Sequence, residues 1–237
     1  MTADPDPLEA LAEEGETALE DGEYEIALET FDELLKQDPE HWGAHLRRAE
    51  CLHLLWRSAQ ALEAVRDLTP AAGEEDDPDR VELEGTILEA MGRFDEADRL
   101  FAEAHRLEPE DMPLPVRLTP DDFKALVDKV LASLPRVIRE AVLEVPVLVE
   151  PKPTPAMAEH APAINPEVLG LFVGTSVGEK LRGGGGYGDV VLLFQKNLER
   201  AGRNRQEVSK EMKITLLHEY GHYLGFDEEE LEHLGLG

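Results

Sequence analysis

The sequence predicts an α+β protein in two modules: an all-α helical repeat array over residues 1–110 and a compact α+β domain over 119–237, joined by a linker at 111–118. Three observations carry that expectation. A pattern of small and large apolar residues recurs at offsets of 34 and 36 in the front half. Three short β-rich apolar runs interrupt helical patterns in the back half. Charge divides along the same line, with 32 acids against 9 Lys+Arg in residues 1–110 and 20 against 14 in 111–237.

In the front half, Ala27, Phe31, Leu34 and Pro39 align with Ala61, Val65, Leu68 and Gly73, and then with Ala97, Phe101, Ala104 and Pro109. The extra two residues of the second offset fall in the acidic loop Glu74–Asp79. Small, large and small residues at i, i+4 and i+7 lie on one helical face and let a neighbouring helix approach. Gly22-Glu23-Tyr24 and Gly92-Arg93-Phe94 precede two of these helices and mark turns within helix pairs. The array resembles three tetratricopeptide repeats (TPR), whose helix-turn-helix period is about 34 residues, with a degenerate second copy. The resemblance implies a short TPR solenoid whose concave side binds a partner protein or peptide.

The formal charge of −29 argues against nucleic acid or an anionic membrane surface as partner. A basic protein or peptide is the complementary partner for the array. Cys51 is alone, so the chain has no cysteine pair for a disulfide and no cysteine cluster for a metal, and among Leu52, Leu54 and Leu55 it reads as a buried small hydrophobe. His41, Trp42 and His45 read as packing or helix-end residues, and His53 and His105 have no ligand partner at suitable spacing. The acidic start lacks the basic, apolar pattern of a signal peptide, and no apolar stretch approaches membrane-spanning length. A soluble, cytoplasmic protein is expected.

The back half opens with the two prolines of Asp111–Pro115, an extended linker. Thr119-Pro120-Asp121-Asp122 starts a helix: threonine cap, proline at the first position, acids in the first turn. Phe123, Leu126, Val127, Val130, Leu131 and Leu134 form its apolar face, and Pro135 breaks it before a second helical piece ending near Leu143. Val145–Val149, Leu169–Val173 and Val190–Phe194 read as strands, and Gln195–Arg200 as a short helix. The glycine run Gly183–Gly186 precedes a strand rather than a helix and has no P-loop lysine, so a hairpin loop is expected there.

His218-Glu219-Tyr220-Gly221-His222 spells H-E-x-x-H, with Ser209 expected to cap its helix. Histidines four apart lie on one helical face, so both imidazoles can reach one metal ion. Glu219 can then sit over the metal's open position and act as the base toward a water. Gly225 is placed to stop the helix in a left-handed turn, after which Asp227 or Glu228 can double back as third ligand. Glu228 has the third-ligand spacing of Gly-turn metallopeptidases, and Asp227 is better placed to cap a final helix through Leu234.

Taken with the strand Val145–Glu150, Leu169–Gly174, the run Val191–Arg200 and Thr215–Phe226, this half resembles the minimal zincin-like metallopeptidase family, small prokaryotic proteins with a compact α+β zincin core. The resemblance implies Zn2+ held by His218, His222 and Glu228, with Glu219 catalytic. No methionine follows Met212, so the methionine turn of the metzincins is absent. The expected function is zinc-dependent hydrolysis of peptide bonds in a peptide or protein substrate, with the TPR module recruiting a partner or substrate. Two alternatives stand beside it: a TPR adaptor whose zinc-binding domain is catalytically idle, and hydrolysis of an amide in a small molecule. The intact Glu219 favours the enzyme, because an idle site has no chemical need for that carboxylate.

Overall fold

The computed structural model describes residues 6–68, 70, 76–159, 161, 164–177, 180 and 188–236. Gly73, Glu74, Glu75 and the expected hairpin loop over Gly183–Gly186 lie outside them. The chain folds as two compact units, Met1–Pro113 with Thr154–Pro166, and Leu114–Pro153 with Glu167–Gly237. No helix among the described residues is long and apolar enough to cross a membrane.

The first unit is built from α1 (Pro7–Glu20), α2 (Tyr24–Gln37), α3 (Trp42–Leu54), α4 (Ser58–Asp67), α5 (Pro78–Ala90) and α6 (Phe94–Leu107), each packed against the next. Of the aligned repeat residues, Ala27, Phe31, Leu34, Ala61, Val65, Ala97, Phe101 and Ala104 are buried, whereas Leu68, at the end of α4 in the degenerate second copy, is half-buried. Close approach within a pair has a stereochemical basis. A Cβ on Gly15 would lie 2.7 Å from the Phe31 ring, and one on Gly85 would lie 3.0 Å from the Phe101 ring. At the corresponding positions the second repeat has Ala49 and Val65, a smaller partner together with a residue that carries a Cβ, and both are fully buried.

The turns inside the pairs repeat as closely. Glu23 N–H donates to Ala18 O (2.8 Å), Arg57 N–H to Leu52 O (2.8 Å) and Arg93 N–H to Leu88 O (2.9 Å). Each turn needs one left-handed residue, and these are Gly22 (φ 76°), Trp56 (φ 62°) and Gly92 (φ 76°). A bulky side chain in that region costs roughly 1–2 kcal/mol, so the second repeat stores strain where its neighbours use glycine.

Asp77 accepts from Arg80 N–H at 3.0 Å and caps α5, so Pro78 and Asp79 belong to the first helical turn rather than to the acidic loop expected over Glu74–Asp79. Arg80 is nearly buried and bonds Asp76 (2.5 Å) and Glu84 (3.1 Å). The segment Thr154–Pro166, which carries the short helix Pro155–Ala158, completes this unit: Trp56 Nε1 donates to Ile164 O (3.1 Å), and Asn165 Nδ2 donates to the Tyr24 hydroxyl (2.9 Å).

The second unit contains α7 (Pro120–Ser133), α8 (Arg136–Ala141), β1 (Val147–Glu150), β2 (Gly170–Val173), β3 (Val190–Phe194), α10 (Gln195–Arg200), α11 (Arg205–Leu224) and α12 (Glu228–His233); α9 (Pro155–Ala158) falls between β1 and β2 in the chain. The sheet order is β1-β3-β2. β3 pairs parallel with β1 (Val147 with Val191) and antiparallel with β2 (Gly170 with Leu193). As the central strand it is the most apolar, and Val191, Leu193 and Phe194 are fully buried. Phe123, Leu126 and Val130 of α7 join Val208, Met212, Leu216 and Tyr220 of α11 in one core with β3. The α11 N-cap is Asn204, whose side chain accepts from Gln206 N–H (2.9 Å) and Glu207 N–H (3.1 Å). Ser209, expected to cap this helix, lies inside it, because buried Val208 and Met212 carry the apolar face a full turn earlier.

Candidate metal centre

The site is assembled by a helix end, a tight turn and a second short helix. Twenty residues of α11 end at Gly225, whose φ of 99° permits the closing bonds Gly225 N–H to Gly221 O (3.0 Å) and Phe226 N–H to Gly221 O (3.1 Å). Asp227 then caps α12 in a reciprocal pair with Glu230: Glu230 N–H donates to Asp227 Oδ1 (2.9 Å), and Asp227 N–H donates to Glu230 Oε2 (3.0 Å). That fixes the start of α12 and turns the next side chain, Glu228, toward α11.

Glu228 Oε1 lies 3.3 Å from His222 Nε2, and its Oε2 lies 3.6 Å from His218 Nε2. The two Nε2 atoms are 2.9 Å apart. One donor atom from each of the three residues falls within a 4.8 Å span, and Asp227, engaged in the cap, stands outside the cluster. The opposite face of each imidazole is held by main chain. His218 Nδ1 donates to Leu236 O (2.8 Å), and His222 Nδ1 faces Phe226 O at 3.3 Å. A carbonyl can only accept, so these contacts put the proton on Nδ1 and leave the Nε2 lone pairs directed at one another and at the Glu228 carboxylate. A cation stabilises such an arrangement. Two imidazole nitrogens, a carboxylate oxygen and Nδ1–carbonyl contacts behind them fit the donor set of a catalytic zinc site.

Glu219 faces the sheet and is 7% exposed. Among the described residues β2 is an edge strand, and its Phe172 N–H donates to Glu219 Oε2 at 2.6 Å. Gly170 gives the carboxylate room: a Cβ there would lie 2.6 Å from Thr215 Cγ2 and 3.1 Å from Glu219 Cγ. Burial pushes the Glu219 carboxyl up to about 7, with Glu228 acting in the same direction; His218 and the Phe172 N–H oppose it. A cavity of about 280 Å³ opens here, between Val168–Gly170 on one side and Thr215, His218 and Glu219 on the other.

His218, Glu219, His222 and Glu228 thus come together within one unit. Phe172 N–H, Gly170 and Leu236 O belong to the same assembly and were not singled out in the sequence. Gly170 carried a usable signal, since an isolated glycine in a strand marks close approach of another group. Leu236 carried none, because its contribution is a backbone carbonyl.

No curated protein matches the chain. Family models match it in two segments: residues 142–237 match the zincin-like metallopeptidase family, and residues 13–76, in the helical array, match the tetratricopeptide repeat.

Proposed function

We propose that this protein is a zinc-dependent peptidase whose TPR array recruits a protein partner or substrate. The observation that carries the reading is the convergence of His218 Nε2, His222 Nε2 and a Glu228 oxygen within 4.8 Å, beside the buried carboxylate of Glu219. When bound, zinc supplies Lewis acidity toward a substrate carbonyl and makes a nearby water acidic near neutral pH. The chain's own residues do the rest. Leu236 O and Phe226 O orient the two imidazoles, and the α12 cap directs Glu228. Phe172 N–H holds one oxygen of Glu219, leaving Oε1 to take a proton from water and pass it to the leaving amine. The cavity beside β2 is where a substrate peptide can lie.

The adaptor reading has one observation in its favour: Glu219 Oε2 already accepts a 2.6 Å main-chain bond from the sheet. Hydrolysis of an unstructured protein by wild type and Glu219→Gln separates the two readings. The peptidase reading expects activity in the wild type alone, with equal zinc content. The acidic array, with 32 acids against 9 Lys+Arg in residues 1–110, suits a basic partner peptide whose binding weakens with salt.

A further inference from the structure

Trp56 stands out because it breaks a rule that its own repeat array sets. At the left-handed turn position of the first and third repeats stands glycine; in the second stands tryptophan at φ 62°. A strained bulky residue persists where something holds it. Here its indole N–H reaches Ile164 O at 3.1 Å, more than a hundred residues further along the chain. The hydroxyl of Tyr24, two residues after the left-handed turn of the first repeat, accepts from Asn165 Nδ2 at 2.9 Å. Two turns on the same edge of the array therefore grip two successive residues of one segment.

That segment is unlike its surroundings. Thr154–Pro166 contains one acid and no Lys or Arg, so it can lie against the acidic array without the repulsion another acidic stretch would meet. Although it connects β1 to β2 of the second unit, it folds as part of the first. Its flanks are clamped on the second unit by side chains. Lys152 Nζ bonds Glu167 Oε1 (2.8 Å) and also Asn197, Arg200 bonds Glu167 (2.8 Å), and Asn197 Nδ2 donates to Val168 O (2.7 Å). The segment between the clamps can therefore be released without dismantling either end.

We propose that Trp56 and Tyr24 form a latch that keeps Ile164 and Asn165 bound in cis on the turn edge of the array, so that this edge accepts an external peptide only when these two residues are released. The competing ligand is an extended, weakly charged peptide offering a carbonyl to the indole and a carboxamide to the tyrosine. It must overcome the high effective concentration of a tethered segment, on the order of millimolar. The inference is independent of the metal centre, and its failure leaves the peptidase reading untouched.

Hydrogen–deuterium exchange on the full chain tests it. Trp56→Gly supplies the residue that the equivalent turns use, so the array should keep its helical signal while exchange over 154–166 rises on the order of 2–10-fold, the loss expected for one net hydrogen bond. Trp56→Phe keeps an aromatic side chain while losing the indole N–H together with the five-membered ring that carries it, and should give the same local rise; it decides the matter if Trp56→Gly loses helical signal. In a second arm, a glycine-serine linker of equal length replaces 154–166. A labelled synthetic peptide of residues 154–166 should bind that variant and not the wild type. Unchanged exchange in Trp56→Phe, or the same peptide binding in wild type and linker variant, overturns the proposal.

Discussion

Gly221 and Leu231 are in close contact: a Cβ built on Gly221 would overlap Leu231 Cδ2, so any side chain there forces Leu231 to shift. Leu231 is fully buried, and it is the α12 residue through which the short helix seats on α11. The glycine between the two histidines therefore sets how near α12 comes, and with it the distance from Glu228 to the imidazoles.

Gly221→Ala is expected to weaken the metal centre. Alanine is about 1 kcal/mol better than glycine in a helix interior, but overpacking costs roughly 1–3 kcal/mol, and the displacement falls on α12. Zinc affinity measured by chelator competition should drop about 10-fold, as for loss of ligand support. Leu231→Ala in the same chain should recover part of that loss. Additive effects of the two substitutions would contradict the packing account.

Glu228 and Asp227 should separate cleanly. Glu228→Ala removes a donor atom and is expected to lower zinc affinity by ~10-fold or more. Asp227→Ala removes the α12 cap and should cost about 0.5–2 kcal/mol of helix stability, with a smaller effect on affinity. Titration of both variants with a zinc-competing chelator gives the order, and a larger loss for Asp227→Ala would reverse the assignment.

Much of this was legible in the sequence, and the omissions have physical causes. The repeat offset, the buried Phe31, Val65 and Phe101, the two turn glycines and the H-E-x-x-H helix all follow from local periodicity. The start of α11 differs from the sequence expectation because Asn204 and Ser209 both carry a capping oxygen, and burial of Val208 and Met212, a tertiary effect, chooses Asn204. The left-handed turn at Trp56 leaves no mark in the sequence, because tryptophan gives no turn signal. The docking of Thr154–Pro166 rests on a carbonyl and a carboxamide that no period marks. Leu236 O is invisible for the same reason.

Deleting Leu236 and Gly237 removes the acceptor behind His218. Gly235, left-handed at φ 72°, lets Leu236 N–H close onto Leu231 O at 3.0 Å, which aims the carbonyl at Nδ1. The deletion should reduce zinc affinity about 10–100-fold while the thermal unfolding of the array is unchanged. Wild-type affinity after deletion would show the contact to be incidental.

The array should weaken in acid through Asp76. Its hydrogen bond to Arg80 holds the carboxyl below the ordinary aspartate range. A depressed folded-state pKa contributes stability that is complete above the unfolded value of about 4 and is lost as pH falls through the lower folded value. Asp76→Asn should flatten the stability–pH curve in that window and lower stability at pH 7, since nearly buried Arg80 then keeps Glu84 as its one carboxylate partner among the described residues. An identical acid limb in both proteins, followed by circular dichroism, would remove Asp76 from the account.

The role proposed for Glu219, as the base of a zinc peptidase, is open to one paired measurement: zinc content and cleavage of an unstructured protein, wild type beside Glu219→Gln. Equal zinc in both is expected, with a rate loss of ~10²–10⁴-fold or more in the variant. Hydrolysis by Glu219→Gln at the wild-type rate, with zinc bound, would contradict it.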